Sequence, residues 1–282
     1  MLPQLVCLTK ALQSLHIPYR LLDPEGNLIR VQLLSNNYLF QSNRTPFNSE
    51  SVAQICLDKE HTYHILKSVI NMPKTTGFID YQQASEYPQY TRFNSLDKIV
   101  KKIESQFSYP MVIKRNRGAL SKNVFLCQLK KELINALHII YNRQSLDYDY
   151  VALAQQFINT KQEYRAIFFK RELVLAYERY TDQEGFKASY WNLPGGYSKH
   201  ITDNCLLKEL QTFVEPIFQH IPAEMVGVDI IRDTSNNLFL VELNSGPKFS
   251  HFIQFNGEEL IIEMYKKIIK KIIDTTHYNK AI

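Results

Sequence analysis

The stretch that most limits what this chain can fold into is 225–249, MVGVDIIRDTSNNLFLVELNSGPKF. Residues 226–231 form an apolar, β-branched run, 234–237 a polar turn cluster, and 238–243 a second apolar run. That is the pattern of two strands joined by a turn. One carboxylate interrupts each run, Asp229 in the first and Glu242 in the second, and Asn244 stands two residues beyond Glu242. A side-chain period of two puts Glu242 and Asn244 on one face, and pairing of the strands brings Asp229 to it. Three oxygen donors on a rigid sheet make a hard-cation site, suited to Mg²⁺ shared with substrate phosphates. Two carboxylates solvated at strand ends are the plainer reading of the same residues.

A length of 282 residues leaves room for two domains, or for one large α/β body with an appendage. The net charge of +5 suits polyanionic ligands such as nucleotides, is too weak to argue for nucleic acid, and is mostly that of a mixed solvated surface. Positive charge concentrates only in YKKIIKKIID (265–274), at the spacing of an amphipathic helix packed on the body rather than on a membrane. Cys7, Cys56, Cys127 and Cys205 are scattered, without disulfide or zinc spacing, as expected of thiols in a reducing compartment. No apolar run reaches the length of a membrane span. The opening MLPQLVCLTK lacks a basic segment followed by an apolar core, so the expectation is no signal peptide and a cytoplasmic protein.

Along the chain, 4–16 has helical periodicity, and short extended segments follow at 19–22, 28–34 and 38–41, with Asn36-Asn37 read as a turn. This small α/β cap ends in a polar linker, SNRTPFNS (42–49). Ser49 or Ser51 caps a helix to about Cys56, and Asp58 caps a second within LDKEHTYHILKSVI, which Asn71-Met72-Pro73 ends. Then come a strand at 74–78, a poorly patterned segment 80–94, a helix 96–106 opened by Ser95, strands 109–114 and 124–128 around the loop RNRGALSKN, and a helix 130–141. Strands 150–157, 164–169 and 173–180 alternate well enough for an antiparallel sheet. A polar excursion, 181–200, precedes a helix at 203–219, the strand pair, and a closing helix at 258–274. Antiparallel strand groups with helices between them argue for an α+β fold.

Several further residues fit a phosphate-handling site. Lys114 ends an apolar strand before a basic, glycine-containing loop, where a lysine supplies a point charge to nucleotide phosphates. Asp58-Lys59 opens a helix, whose first amides favour anions. A solvated strand-end lysine and simple capping are the ordinary readings of these two. Glu163 with Arg165 reads equally as a cross-strand surface pair, Arg179 as an exposed strand end, and Trp191 as a packing anchor. Among the eight histidines none has metal spacing, and His251 alone follows the carboxylate strand closely.

Taken in order, SVAQICLDKEHTYHIL…NMPKT, YPMVIKRNRGALSKNV, LAQQFINTKQEYRAIFF, VLAYERY, WNLPGG and GVDIIRD…LFLVELNSGPKF, spanning about 50 to 255, resemble the ATP-grasp superfamily. The likeness is greatest to its RimK-like and glutathione-synthetase-like carboxylate–amine ligases. It implies two α+β subdomains clasping ATP behind a short N-terminal cap: 1–50 as cap and 51–282 as ATP-grasp domain, divided into 51–156 and 157–282. The resemblance gives Lys59 and Lys114 to the ATP phosphates and the backbone of Gln156, Phe157 and Ile158 to adenine. Glu163 would hold the ribose hydroxyls, with Arg165 and Arg179 at the phosphates or acyl-phosphate. Asn192, with Gly195-Gly196, would lie beside the transferring phosphoryl group. Asp229, Glu242 and Asn244 would hold Mg²⁺, with Mn²⁺ as a substitute.

The implied reaction activates a carboxylate as an acyl-phosphate and joins it to an amine, the substrates being amino-acid- or peptide-like, and relatives often dimerise. Two other readings stay open: a phosphotransferase whose basic loop 115–122 takes an anionic acceptor, and a nucleotide-binding module without catalysis. Three departures from the family pattern stand out. The loop after Lys114 has only Gly118, Gln156 replaces a common Glu, and the cap is short.

Overall fold

Leu5, Leu8 and Leu12 recur at helical spacing, and Pro3 occupies the first turn, where its missing N–H costs no hydrogen bond; together they set α1 (Pro3–Ser14). In the computed structural model, which describes residues 1–118, 121–182, 186 and 195–278, α1 is followed by β1 (Tyr19–Leu21), β2 (Leu28–Leu33) and β3 (Asn36–Gln41), an antiparallel sheet in that order. Asn36 and Asn37 are not the turn: they pair with Leu33 and Gln32 inside the sheet. The two-residue turn is Leu34-Ser35, with Leu34 at φ 56°, a left-handed position that residue preference assigns to asparagine rather than leucine.

Next come α2 (Glu50–Leu57) and α3 (Lys59–Leu66), capped as expected: Ser49 accepts from the Val52 amide and Asp58 from the His61 amide. β4 (Thr75–Ile79), a 3₁₀ turn (Tyr81–Ser85) and α4 (Leu96–Glu104) lead to β5 (Met111–Arg115), β6 (Val124–Cys127), α5 (Lys130–Ile140) and β7 (Val151–Gln156). These strands form an antiparallel sheet in the order β4-β7-β5-β6. The chain continues through β8 (Thr160–Phe169), β9 (Glu172–Tyr180), β10 (Tyr197–His200), α6 (Asn204–Val214), α7 (Ile217–His220), β11 (Met225–Asp233) and β12 (Leu238–Asn244). It ends in α8 (Ser250–Asn256) and α9 (Glu259–Tyr278). The second large sheet is antiparallel, ordered β10-β9-β8-β11-β12. This is the expected α+β architecture.

Further details depart from the sequence reading. The helix read at 203–219 is broken around Glu215-Pro216, because Pro216 donates no backbone hydrogen bond. β10 lies inside the excursion read as polar loop; it pairs with β9, from Tyr197↔Tyr180 to His200↔Tyr177, too short to display a period. α8 precedes the closing helix, from which Gly257 separates it at φ 73°.

β8 explains how two cores share one sheet. Tyr164, Ala166 and Phe168 face a core with α2, α3 and α6, whereas Ile167 and Phe169 face another with α1, β2, β3 and α9. A third core lies between the four-stranded sheet and α4 and α5. The cap therefore shares its core with the five-stranded sheet.

Residues 42–49, read as a linker, are stitched to that sheet. Asn48 accepts from the Glu224 amide at 2.8 Å and the Met225 amide at 3.2 Å, and donates to the Met225 carbonyl at 2.6 Å. Asn43 donates to the Gly246 carbonyl at 2.9 Å. Asn48→Ala removes all the Asn48 bonds at once. It is expected to cost about 1–3 kcal/mol, read as a lower urea midpoint at unchanged slope; an unaltered midpoint refutes the clamp.

Candidate active site

Residues 157–159 carry the chain from β7 to β8, and a cleft of about 1060 Å³ lies between the two large sheets. Register sets its floor. Asp229 in β11 stands opposite Arg165 in β8 and Glu242 in β12; Gly227 pairs with Asn244, and Glu163 in β8 pairs with Arg179 in β9. A β-bulge follows the Asp229–Glu242 pair, the next pair being Ile230↔Leu240.

The floor is a buried charge cluster. Arg165 donates from Nε and Nη2 to both carboxylate oxygens of Asp229. Arg179 pairs with Glu163 and lies 3.4 Å from Asp229 Oδ1. Burial alone raises the Asp229 carboxyl, but Arg165 and Arg179 outweigh it and hold that carboxyl well below its usual range. Burial likewise raises Glu163, with Arg179 opposing it only in part, so the net shift is upward. Asn244 Nδ2 lies 3.4 Å from Asp229 Oδ2 and 3.3 Å from Glu242 Oε1, so the expected trio does converge.

Oxygen donors from two carboxylates and an amide fit a hard divalent cation, once the Asn244 amide is turned to present its oxygen. Among the described residues no three His, Cys, Asp or Glu gather closely enough to hold a metal, so a cation here draws on Asn244 and on ligand oxygens. The two oxygens of Asp229 are already shared with Arg165, which leaves Glu242 the more available carboxylate.

The opposite wall supplies cations. Lys59, the first residue of α3, donates to the carbonyls of Gly118 at 2.9 Å and Asn116 at 3.3 Å and lies 3.3 Å from Glu242 Oε2. Asn116 is buried, and its Oδ1 accepts from the Glu60 amide at 2.9 Å, tying the start of α3 to the loop after β5. Lys114 on β5 is buried against the cleft, and no salt bridge neutralises it among the described residues. Burial, with Lys59 adding to it, lowers its pKa from 10.5 to about 8, and Glu242 compensates only partly.

Gln156, Phe157 and Ile158 line the cleft where the sheets meet. The Gln156 amide donates to the Lys74 carbonyl at 2.9 Å, and Phe157 packs edge-on to Phe186 with centroids 6.2 Å apart. Val112, Leu126, Ile231 and Leu243 add apolar lining suited to a planar ring. His251 also lines the cleft, and burial holds its pKa below the usual value. Asn192 lies outside the described residues. Sequence reasoning missed Asn116, Asp147 and Asp149, whose only signal was their place in polar loops.

The basic loop is less cationic than its composition suggests. Arg115 pairs with Asp147 at 3.0 Å, Lys122 with the same carboxylate at 3.3 Å, and Arg117 with the Asp58 cap at 3.1 Å. The Arg117 amide donates to Asp149 Oδ2 at 2.6 Å.

Two antiparallel sheets closing on a cation-rich cleft are the plan of an ATP-grasp fold. The family model described as the RimK-like ATP-grasp domain matches residues 65–272, and the chain belongs to that family. It is 23% identical over 202 residues to a D-alanine–D-alanine ligase of Caldicellulosiruptor bescii, which covers 66% of this chain but only 53% of the relative. Among solved structures, the ATP-grasp ligase PsnB complexed with minimal precursor superimposes at TM-score 0.55 with 12% identity, covering 79% of this chain and 64% of that one. The D-alanine–D-alanine ligase of Bacillus anthracis complexed with ATP gives TM-score 0.52 and 17% identity, covering 78% and 69%. The chain thus spans about half the length of the curated relative it matches.

Lys114 yields a pH test with a definite sign. Its pKa is lowered on folding, so between about 8 and 10.5 the unfolded chain holds more protons and stability rises with pH. Lys114→Met is expected to raise stability at pH 7 by up to about 3 kcal/mol and to flatten that rise, in urea titrations at pH 7 and pH 10. A variant that loses stability at pH 7 contradicts a buried, uncompensated charge.

Proposed function

We propose that the chain is an ATP- and Mg²⁺-dependent carboxylate–amine ligase acting on amino-acid- or peptide-like substrates. One observation carries this reading: Asp229, Glu242 and Asn244 converge in the cleft that Lys59 and Lys114 line from the other sheet. Two anions must approach each other in such a reaction, and cations have to neutralise and align both.

In this reading a carboxylate oxygen attacks the γ-phosphorus and ADP leaves; an amine then attacks the acyl carbon, loses a proton and expels phosphate. A divalent cation bound by Glu242, Asp229 and Asn244 supplies charge neutralisation at the phosphates. Lys114 offers an uncommitted ammonium to the triphosphate, and Lys59, fixed by two carbonyls, offers a second. The backbone of Gln156, Phe157 and Ile158 holds adenine, and Glu163 the ribose. Arg165 and Arg179 offset the floor's carboxylates where the acyl-phosphate forms, with Asn192 assigned beside the transferring group. The division into a cap at 1–50, a first clasping part at 51–156 and a second at 157–282 belongs to the same proposal.

The phosphotransferase alternative rested on free cations in 115–122, and Asp58 and Asp147 now occupy three of them. Release of ADP and phosphate should require an acid and an amine together, and Glu242→Ala should reduce it at least about a hundredfold. Nucleotide binding that is indifferent to Mg²⁺, with no turnover over a broad acid and amine panel, would sink the ligase reading.

A further inference from the structure

The cleft extends past the proposed phosphate region to a second wall that no role above employs. Residues 43–48 and 245–248 form it, and both segments line the cavity. They are held together by Asn43 donating to the Gly246 carbonyl at 2.9 Å and by Asn48 reaching the Ser245 carbonyl at 3.5 Å. The packing is close: a Cβ on Gly246 would come within 2.5 Å of the Asn43 carbonyl oxygen. Arg44 follows Asn43 directly, and Lys248 lies four residues beyond Asn244. Both line the cleft, and among the described residues neither has a salt-bridge partner. Thr45, which lines the same cleft, has a buried hydroxyl without a hydrogen-bond partner. Glu50 is the nearby lining carboxylate, and it accepts from Gln54 at 2.8 Å.

The charges of the remaining cleft are largely spent on one another. Arg165 and Arg179 are balanced by Asp229 and Glu163, Lys59 touches Glu242, and Arg115 and Lys122 share Asp147. Lys114 faces the proposed triphosphate. Arg44 and Lys248 remain, a guanidinium fork and an ammonium on the two segments that Asn43 and Gly246 join, in the same cleft as the Thr45 hydroxyl. Such a set recognises an anion.

We propose that the acid activated here is dianionic: one carboxylate reacts, and a second anionic group docks on Arg44 and Lys248. This rests on the ligase reading and narrows it to a substrate class. A carboxylate and a phosphate are both compatible with the fork, so the probes include each.

The experiment is calorimetric titration of the intact protein, first with Mg·AMP-PNP and then, at saturating nucleotide, with butyrate, glutarate and 4-phosphonobutyrate. Glutarate or 4-phosphonobutyrate should bind about five- to tenfold tighter than butyrate, and the tighter of the two identifies the second anion. That preference should shrink between about 0.05 M and about 0.5 M salt. It should vanish in Arg44→Gln/Lys248→Gln, a pair of exposed polar substitutions, while Mg·AMP-PNP affinity holds. Equal binding of all three acids, no binding of any, or a preference that survives in the double variant overturns the dianionic subsite and leaves the ligase reading standing. Absence of Mg·AMP-PNP binding in the first titration sinks the ligase reading and this inference with it.

Discussion

Asp229 held between Arg165 and Arg179 is the interaction on which the rest of the site depends. Three buried charges and the partly buried Glu163 come from three adjacent strands, and the desolvation they suffer is offset only if every partner is in place. A bidentate guanidinium–carboxylate pair between β8 and β11 also fixes register. A slip of one residue would turn Arg165 into the core that Tyr164, Ala166 and Phe168 fill, and would expose those side chains in exchange. The charges are thus a poor source of stability and a strong source of specificity, because mispaired sheets leave an arginine buried alone.

The same cluster shapes what the cleft can hold. With both Asp229 oxygens drawn to Arg165, the floor is close to neutral despite its carboxylates, so an incoming polyanion meets no large repulsion there. Lys59 is fixed by two carbonyls and Lys114 by its strand, so neither has to be ordered when an anion arrives. Preorganised charge of this kind loses little entropy on binding. Burial of Lys114 with only partial compensation from Glu242 is a cost that a bound anion would relieve.

What the sequence disclosed follows from how local its signals are. The strand pair around Asp229 and Glu242 was legible because its turn and both apolar runs lie within twenty-five residues. Ser49, Asp58 and Ser95 announced helix starts because capping is a contact over two or three residues. The roles of 42–49 were invisible, since Asn48 bonds to Met225 across 177 positions and nothing in SNRTPFNS records that. Leu34 in a left-handed turn and the four-residue β10 were missed for a related reason, being imposed by tertiary packing against local preference. In the loop after Lys114, composition displayed the cations and hid Asp147 and Asp149, whose proximity arises only once α5 has turned the chain back.

That loop also gives a physical account of the family departure. A glycine-rich loop lets backbone amides approach phosphate by conformational freedom. Here side chains hold the backbone: Arg115 to Asp147, the Arg117 amide to Asp149, Arg117 to the Asp58 cap, and Asn116 to the start of α3. The carbonyls of Asn116 and Gly118 then grip the Lys59 ammonium, which lines the cleft. Glycine at 115 or 117 would release Asp147 or Asp58 from its partner and loosen the carbonyls that aim Lys59, so the basic residues of this loop act on the site mainly by positioning, with their own charges largely cancelled.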